Sequence, residues 1–414
     1  MLPADPRDGL AFSTSVARTL WPTCSVRVGR AGGARKRAWW LFPHPRRVRL
    51  VLPARRPHAT AILHASARGR QSATRSAMQA GAMLARIPGV VENAPALIVE
   101  AGNCSRDDDT ADVALSRVVG ESVFVSWAVG PRRANRKPVL QLSTHQAKTI
   151  GFAKAGIDDL TRVLVGKEAG ALQALSRHHF TVLNHPVVLG RTWVRDTQLL
   201  AISSIDSDGA SLRDTLGRAG AARRHLLHQA MTELATAQGV NQQAIGSSAW
   251  LERLERRIQS VPDRVRQRRL SEAVTPLRTL TRRLPFGSWH GDWQPANFAI
   301  HDSSVAVWDW ERYEQDVPLG FDSQHLALQT AITQMQVPPR DAASWALESA
   351  RQRLAPWSIS AEDARVVAIL HLFDVSVRYI VDRQYDAGAD IADVEHWALP
   401  LASRELRALA DSER

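Results

Sequence analysis

The chain has 414 residues, 44% of them apolar, enough for two or three domains around a real hydrophobic core. Two cysteines, Cys24 and Cys104, exclude a disulfide framework, and no apolar run approaches the roughly 20 residues of a membrane span. Asp5, Arg7, Asp8 and Arg18 interrupt the start of the chain, so no export signal is read and a cytoplasmic location is expected.

The net charge of +12 is local. Residues 1–100 hold 16 Lys/Arg against 4 Asp/Glu, while the remaining 314 hold 37 of each. An anionic partner for the basic segment and a plainly solvated arginine-rich surface both follow from that count. Nucleic-acid binding by this segment would rest on charge alone, because no recognition motif accompanies it.

In chain order, residues 1–20 read as irregular. SVRVG, AWWLF and RVRLVLP, between 25 and 53, read as a small antiparallel meander punctuated by Gly32-Gly33, Pro43 and Pro45. Residues 64–87 are rich in Ala, Met, Arg and Gln and predict a helix. NCSRDDDT, at 103–110, is a polar boundary. VFVSWAVG, PVLQLST and TIGFAKAG predict three strands, Asp158 to Leu175 a helix, and LGRTWVRDT and QLLAISSI two more strands. After residue 210 the spacing is helical, except at 290–310, where a turn and the short strands NFAI and VAVWDW intervene.

That interruption carries the chemistry. In SWHGDWQPANFAI, Asp292 stands two residues after His290 and five before Asn297. HDSS turns the NFAI strand back onto VAVWDW, bringing Asn297 beside Asp309. An amide oxygen and a carboxylate aimed at one point are hard ligands suited to Mg²⁺. Asp292, in the turn before the hairpin, is then free to serve as a base. Phosphoryl transfer needs this set: one carboxylate for the acceptor hydroxyl, and an Asn and an Asp for metal on a triphosphate.

HGDWQPAN followed by WDWE resembles the aminoglycoside phosphotransferase and choline kinase superfamily, whose loop reads HGD, four residues, N, with a later D-x-E. The resemblance covers roughly residues 120–400. It implies a lysine on the third strand of a small lobe and a glutamate on the next helix, and the matching residues are Lys154 in TIGFAKAG and Glu168 fourteen residues on. Lys154 would then bind ATP phosphates, with Glu168 holding its ammonium. The first hairpin departs from the kinase pattern. It lacks a G-x-G-x-x-G loop and offers Gly130 with Arg132, Arg133, Arg136 and Lys137, as phosphate contacts or as solvated turn residues. GRAGGARK, at 29–36, lacks P-loop spacing and reads as a basic turn. The NRKPVLQL strand with a basic extension also looks similar to actinobacterial phosphotransferase-like proteins, which implies no substrate.

The expected fold is α+β and bilobal, protein-kinase-like: a basic N-terminal α/β subdomain (1–110), an antiparallel small lobe with one helix (111–205) and a helical large lobe (206–414). The expected activity is ATP- and Mg²⁺-dependent transfer to a hydroxyl of a small-molecule acceptor. Asp292 is the expected base, Lys154 and Glu168 the nucleotide residues, and Asn297 and Asp309 the metal ligands, with the nucleotide against residues 201–205. His290 is expected to orient the loop, Asp322 to cap a helix or brace the loop, and Glu311 to be a metal or structural residue. The rival reading is a non-catalytic kinase-like nucleotide- or ligand-binding protein that acts through a partner.

Overall fold

The computed structural model describes residues 8–32, 37–67, 72–101, 109–130, 136–206, 220–385, 391 and 393–412. Arg132 and Arg133, most of the NCSRDDDT boundary and the second half of GRAGGARK lie outside these residues. The first half contains helix α1 (Asp8–Leu20), strands β1 (Cys24–Arg30), β2 (Ala38–Phe42) and β3 (Leu50–Pro53), and helices α2 (Arg56–Ala67) and α3 (Ser72–Arg86). Strand β4 (Pro95–Ala101), helix α4 (Ala111–Val119) and strands β5 (Phe124–Ala128), β6 (Val139–Ser143) and β7 (Thr149–Gly156) follow. Helix α5 (Asp159–Leu175) and strands β8 (Leu183–Asn184), β9 (Val188–Val194) and β10 (Thr197–Ser203) complete it.

All of these strands except β8 form one nine-stranded antiparallel sheet, ordered β1-β4-β2-β3-β5-β6-β7-β10-β9. The five strands and inserted helix expected over 123–205 are present. The meander expected over 25–53 is not consecutive, because β4 inserts between β1 and β2. The sheet also runs across the boundary expected near residue 110: β3 pairs with β5, Leu50 opposite Ala128 and Val51 opposite Trp127.

Alternation along β2 and β3 explains how both faces are covered. Trp39, Leu41 and Val51 enter a core shared with Leu140, Ala153 and Leu199 of the later strands. Trp40, Phe42, Leu50 and Leu52 point the other way, onto α2 and α3. The one helix expected over 64–87 is therefore two, both packed on that second face. Residues 8–20 are helical rather than irregular: Val16, Ala17 and Leu20 recur at helical spacing and are buried, although the Ser/Thr-rich run AFSTS weakens the signal. Trp21, just past α1, stacks 4.5 Å from Trp39 and 6.2 Å from Trp127, tying the N-terminal segment to β5. Several N-terminal arginines are matched by the few acids near them, Arg27 by Glu100, Arg56 by Glu92 and Arg37 by Asp112.

The second half contains helix α6 (Ala221–Thr236), strand β11 (Asn241–Ala244), helices α7 (Ala249–Gln259) and α8 (Arg264–Val274), and strands β12 (Arg283–Trp289), β13 (Phe298–Ile300), β14 (Val305–Val307) and β15 (Glu314–Pro318). Helices α9 (Phe321–Thr333), α10 (Pro339–Glu348), α11 (Ala350–Leu354), α12 (Ala361–Val381) and α13 (Val394–Ser412) end it. The β13–β14 hairpin forms as expected, with β8 added parallel to β14. The separate sheet β11-β12-β15 was not expected. Helix α12 is buried almost all round, from Val366 to Arg378, and is the axis of the large-lobe core. No helix among the described residues is long and apolar enough to cross a membrane.

Candidate active site

Lys154 lies on β7 between Ala153 and Ala155, both of which enter the sheet core, so its side chain leaves the opposite face. Helix α5 begins at an Asp158–Thr161 capping box and carries Glu168 to that face. The Lys154 ammonium donates to Glu168 Oε1 at 2.6 Å and to Asp309 Oδ1 at 2.6 Å, joining the small lobe to the end of the β13–β14 hairpin. Burial alone would lower the Lys154 pKa, but Asp309, Glu168 and Glu311 outweigh it and raise it. Burial would likewise raise Asp309. The adjacent ammonium groups of Lys154 and Lys137 instead hold it well below the usual carboxylate range.

Asp309 adopts a left-handed backbone, φ 74°, at the point where β14 ends and a short turn begins. This is uncommon for a residue other than glycine, and it is tolerated best by Asn and Asp. Two residues on, Glu311 is buried and paired with Lys137, whose ammonium also stands 3.8 Å from Asp309 Oδ1. Burial, then the Asp309 charge, pushes the Glu311 carboxyl up. Glu168, Asp309 and Glu311 each place one carboxylate oxygen within 4.8 Å of the others.

The loop from His290 to Asn297 is braced from three directions. Asp322, in the first turn of α9, accepts from the His290 N–H at 2.7 Å and the Gly291 N–H at 3.1 Å. It is not the helix cap, which is Gly320; its carboxylate braces the loop. Burial pushes Asp322 up to about 7 despite these two donors. Gly291 has φ +83°, and a Cβ there would run into the Arg312 carbonyl, so the turn requires glycine. The buried Arg378 guanidinium of α12 donates to the Gly291 carbonyl. His290 is fully buried and lowered to about 4 by that burial. It is therefore neutral: Nδ1 accepts from the Asp292 N–H at 3.2 Å and Nε2–H donates to the Trp308 carbonyl at 3.1 Å.

Asp292 Oδ2 accepts from Gln294 at 2.8 Å and from Asn297 Nδ2 at 2.9 Å. Its Oδ1 accepts from His325 Nε2–H at 3.2 Å. The ring of His325 is neutral, its pKa lowered by burial, so its Nδ1 accepts from His371 Nε2–H at 3.3 Å. Burial would raise Asp292, but the His325 hydrogen bond and the Arg378 charge hold it well below the usual carboxylate range. Asn297 also donates to the Asp292 carbonyl, and the Trp308 N–H donates to the Asn297 carbonyl at 3.0 Å. Asn297 and the strand leading to Asp309 thus meet at one end of the hairpin.

The structure therefore brings Lys154, Glu168 and Asp309 into direct contact, and Asp292 and Asn297 into a second contact beside them. Glu311 joins the first group, and His290 and Asp322 occupy supporting positions. His325, His371 and Arg378 had no local sequence signal, because none belongs to the HGDWQPAN or WDWE stretches. The donor set suits a hard divalent cation: Asp309, Glu311 and Glu168 are oxygen ligands, and Asn297, with Nδ2 engaged by Asp292, retains its Oδ1. The buried Glu168 Oε2 has no hydrogen-bond partner among the described residues. Of the expected nucleotide-contacting segment, β10 ends at Ser203, whose N–H donates to the Val187 carbonyl at 2.8 Å.

No family model matches the chain, and no curated protein matches it. Among solved structures, an aminoglycoside phosphotransferase APH(4)-Ia mutant in complex with ADP and hygromycin B is 13% identical, with a TM-score of 0.44, over 71% of this chain and 97% of that one. A protein from Thermobifida fusca, assigned as a fructosamine-3-kinase, is 18% identical, TM-score 0.43, over 72% and 99%. A glucosamine kinase in complex with glucosamine, ADP and inorganic phosphate is 16% identical, TM-score 0.34, over 75% and 84%.

Proposed function

We propose that the chain is an ATP- and Mg²⁺-dependent phosphotransferase that modifies a hydroxyl group of a small molecule. The observation that carries this reading is the double engagement of Lys154. One ammonium, on a strand of the small lobe, is held by a helix carboxylate and by the carboxylate that ends the catalytic hairpin. A strand lysine paired with a helix glutamate, beside an aspartate placed for metal, is the arrangement that positions a triphosphate in kinases.

In this reading Lys154 holds phosphate oxygens and Glu168 fixes its direction. Asp309, with the Asn297 amide oxygen and Glu311, would hold Mg²⁺, which would supply charge neutralisation for the triphosphate. Asp292 orients the acceptor hydroxyl. The acceptor oxygen forms a bond to the γ-phosphorus as the bond to the bridging oxygen of ADP breaks, and the hydroxyl proton passes to an Asp292 oxygen. A carboxylate held so far below the ordinary range is a weak base. Its main work is therefore orientation, with proton transfer late in a loose transition state. The catalytic advantage is mostly electrostatic and positional.

Thermal shift with Mg·ATP and with ATP alone tests the site: saturation at about 100 times Kd should add about 2.7 kcal/mol of stability. A screen for ADP release with amino sugars, sugars, amino alcohols and nucleosides then tests transfer. Metal-dependent ATP binding without turnover of any acceptor would favour a binding protein instead.

A further inference from the structure

We propose that Lys137 is a second phosphate anchor, standing where a glycine-rich loop would otherwise cover the nucleotide; the inference rests on the phosphotransferase reading. Lys137 stands two residues before the first residue of β6, in the connection from β5, the first hairpin of the kinase-like lobe. In kinases the corresponding loop closes over the phosphates with backbone N–H groups from a glycine-rich run. This connection lacks such a run.

Lys137 is placed instead by the sheet. Val139 pairs with Lys154, and the Pro138 carbonyl accepts from the Ala155 N–H at 3.0 Å, so the two lysines leave neighbouring strands toward one point. Only 8% of the Lys137 side chain is exposed. Its ammonium pairs with Glu311 and stands 3.8 Å from Asp309 Oδ1, the oxygen that Lys154 binds. A lysine serving only as a tether between lobes would gain little here, because burying an ion pair costs about what it returns.

The charge balance gives the arrangement a purpose. Three carboxylates converge and two ammonium groups offset them. Asp309 and Glu311 would hold a divalent cation, which would supply the counter-charge that the lysines now provide. Both ammonium groups would then be free to turn toward an anion bound with it. Lys137 and Lys154 would exchange carboxylate for phosphate oxygen in the same event, one from each side of the triphosphate.

The test is isothermal titration of the full chain with Mg·ATP and with adenosine. Replacing the lysine in Lys137→Met should weaken Mg·ATP at least about tenfold, the usual worth of a hydrogen bond to a charged group. Adenosine should bind within about twofold of wild type, and Lys137→Arg should hold Mg·ATP within a few-fold. Because Lys137→Met strands a buried glutamate and Glu311 itself stands beside the metal, Glu311→Gln and Lys137→Met/Glu311→Gln are measured beside it; the double variant should bind Mg·ATP at least about tenfold more weakly than Glu311→Gln alone, with adenosine spared. Unchanged or tighter Mg·ATP binding by Lys137→Met overturns the proposal and makes Lys137 a latch that nucleotide must displace. Equal losses for adenosine and Mg·ATP also overturn it, since the effect is then structural. Wild-type protein that fails to bind Mg·ATP removes the functional reading and this inference with it, whereas wild-type binding with an unaffected variant removes this inference alone.

Discussion

Lys154→Met is the sharpest single perturbation of the site. The substitution keeps most of the side-chain volume and deletes the ammonium that both Glu168 and Asp309 contact at 2.6 Å. Glu168 is fully buried and Asp309 keeps 30% exposure, so most of the penalty falls on Glu168. Removing one partner of a buried ion pair costs about 3–5 kcal/mol, and the exposed edge of Asp309 places the expected loss near the lower end. In Lys154→Met/Glu168→Gln the new amide still accepts the Trp310 N–H, now at 3.3 Å from Glu168 Oε1, without carrying charge. The double variant should recover at least half of the loss. The pH dependence has a definite sign. Asp309 is depressed in the native protein, so it contributes stability above its unfolded value that is lost as pH falls through the folded one. Without Lys154 that contribution shrinks, and the gap between variant and wild type narrows as pH falls. Urea unfolding followed by tryptophan fluorescence, at neutral pH and at about pH 3, below the unfolded aspartate value, reads all three quantities. A loss under about 1 kcal/mol for Lys154→Met, or a double variant as unstable as the two single losses added together, would refute the coupled cluster.

Asp292→Asn should keep Mg·ATP affinity within a few-fold while losing on the order of 10² to 10⁴ in turnover, and Asp309→Asn should lose metal-dependent nucleotide affinity as well; calorimetry with steady-state assays separates the two. His325→Leu should lower kcat with KM for ATP unchanged, and His325→Gln, which can still donate to Asp292 Oδ1, should restore much of it; equal loss in both variants would reduce His325 to packing. His290, lowered to about 4, contributes stability above 6.5 that is lost as pH falls, about 3 kcal/mol by pH 4, whereas Asp322, raised to about 7, contributes stability below 3.8 that is lost as pH rises toward 7. The two offset each other in wild type between pH 4 and 6.5, so Asp322→Asn should expose an acid-side loss of stability in urea titrations, and a flat profile in that variant would contradict the assignment. Trp127→Ala should cost about 3–5 kcal/mol and increase protease cleavage within residues 8–101 as well as beyond them, because its ring packs against Trp21 and Trp39; cleavage confined to one side would indicate independent units.

The small lobe was legible because each strand is a short apolar run between clear turn residues, and because Lys154 and Glu168 fall within single elements. Pairing was less legible. Nothing in SVRVG or AWWLF states that β4, more than 60 residues downstream of β1, will lie between them. The charge boundary near residue 100 suggested an end to the N-terminal unit, yet charge is a surface property and says nothing about which edge a strand presents. The apolar alternation in β3 does. Val51 and Leu50 serve opposite faces, so β3 must be covered on both sides and cannot end a small solvent-exposed sheet.

Within the site, legibility followed sequence distance. Asp292 and Asn297 belong to one turn and Asp309 to the hairpin it opens, so spacing alone placed them together. The groups that set how these residues behave come from elsewhere: Lys137, which pairs with Glu311 across 174 residues, also stands 3.8 Å from Asp309 Oδ1, and His325 reaches Asp292 across 33. Both long-range contacts act on a carboxylate whose charge must persist in a buried setting, where burial by itself favours the neutral form. A loop motif can specify that a carboxylate is present. Only packing from other elements can keep it ionised, and in the proposed function an ionised Asp292 and Asp309 are what distinguish a site that orders a metal–triphosphate and an acceptor hydroxyl from a polar turn of the same sequence.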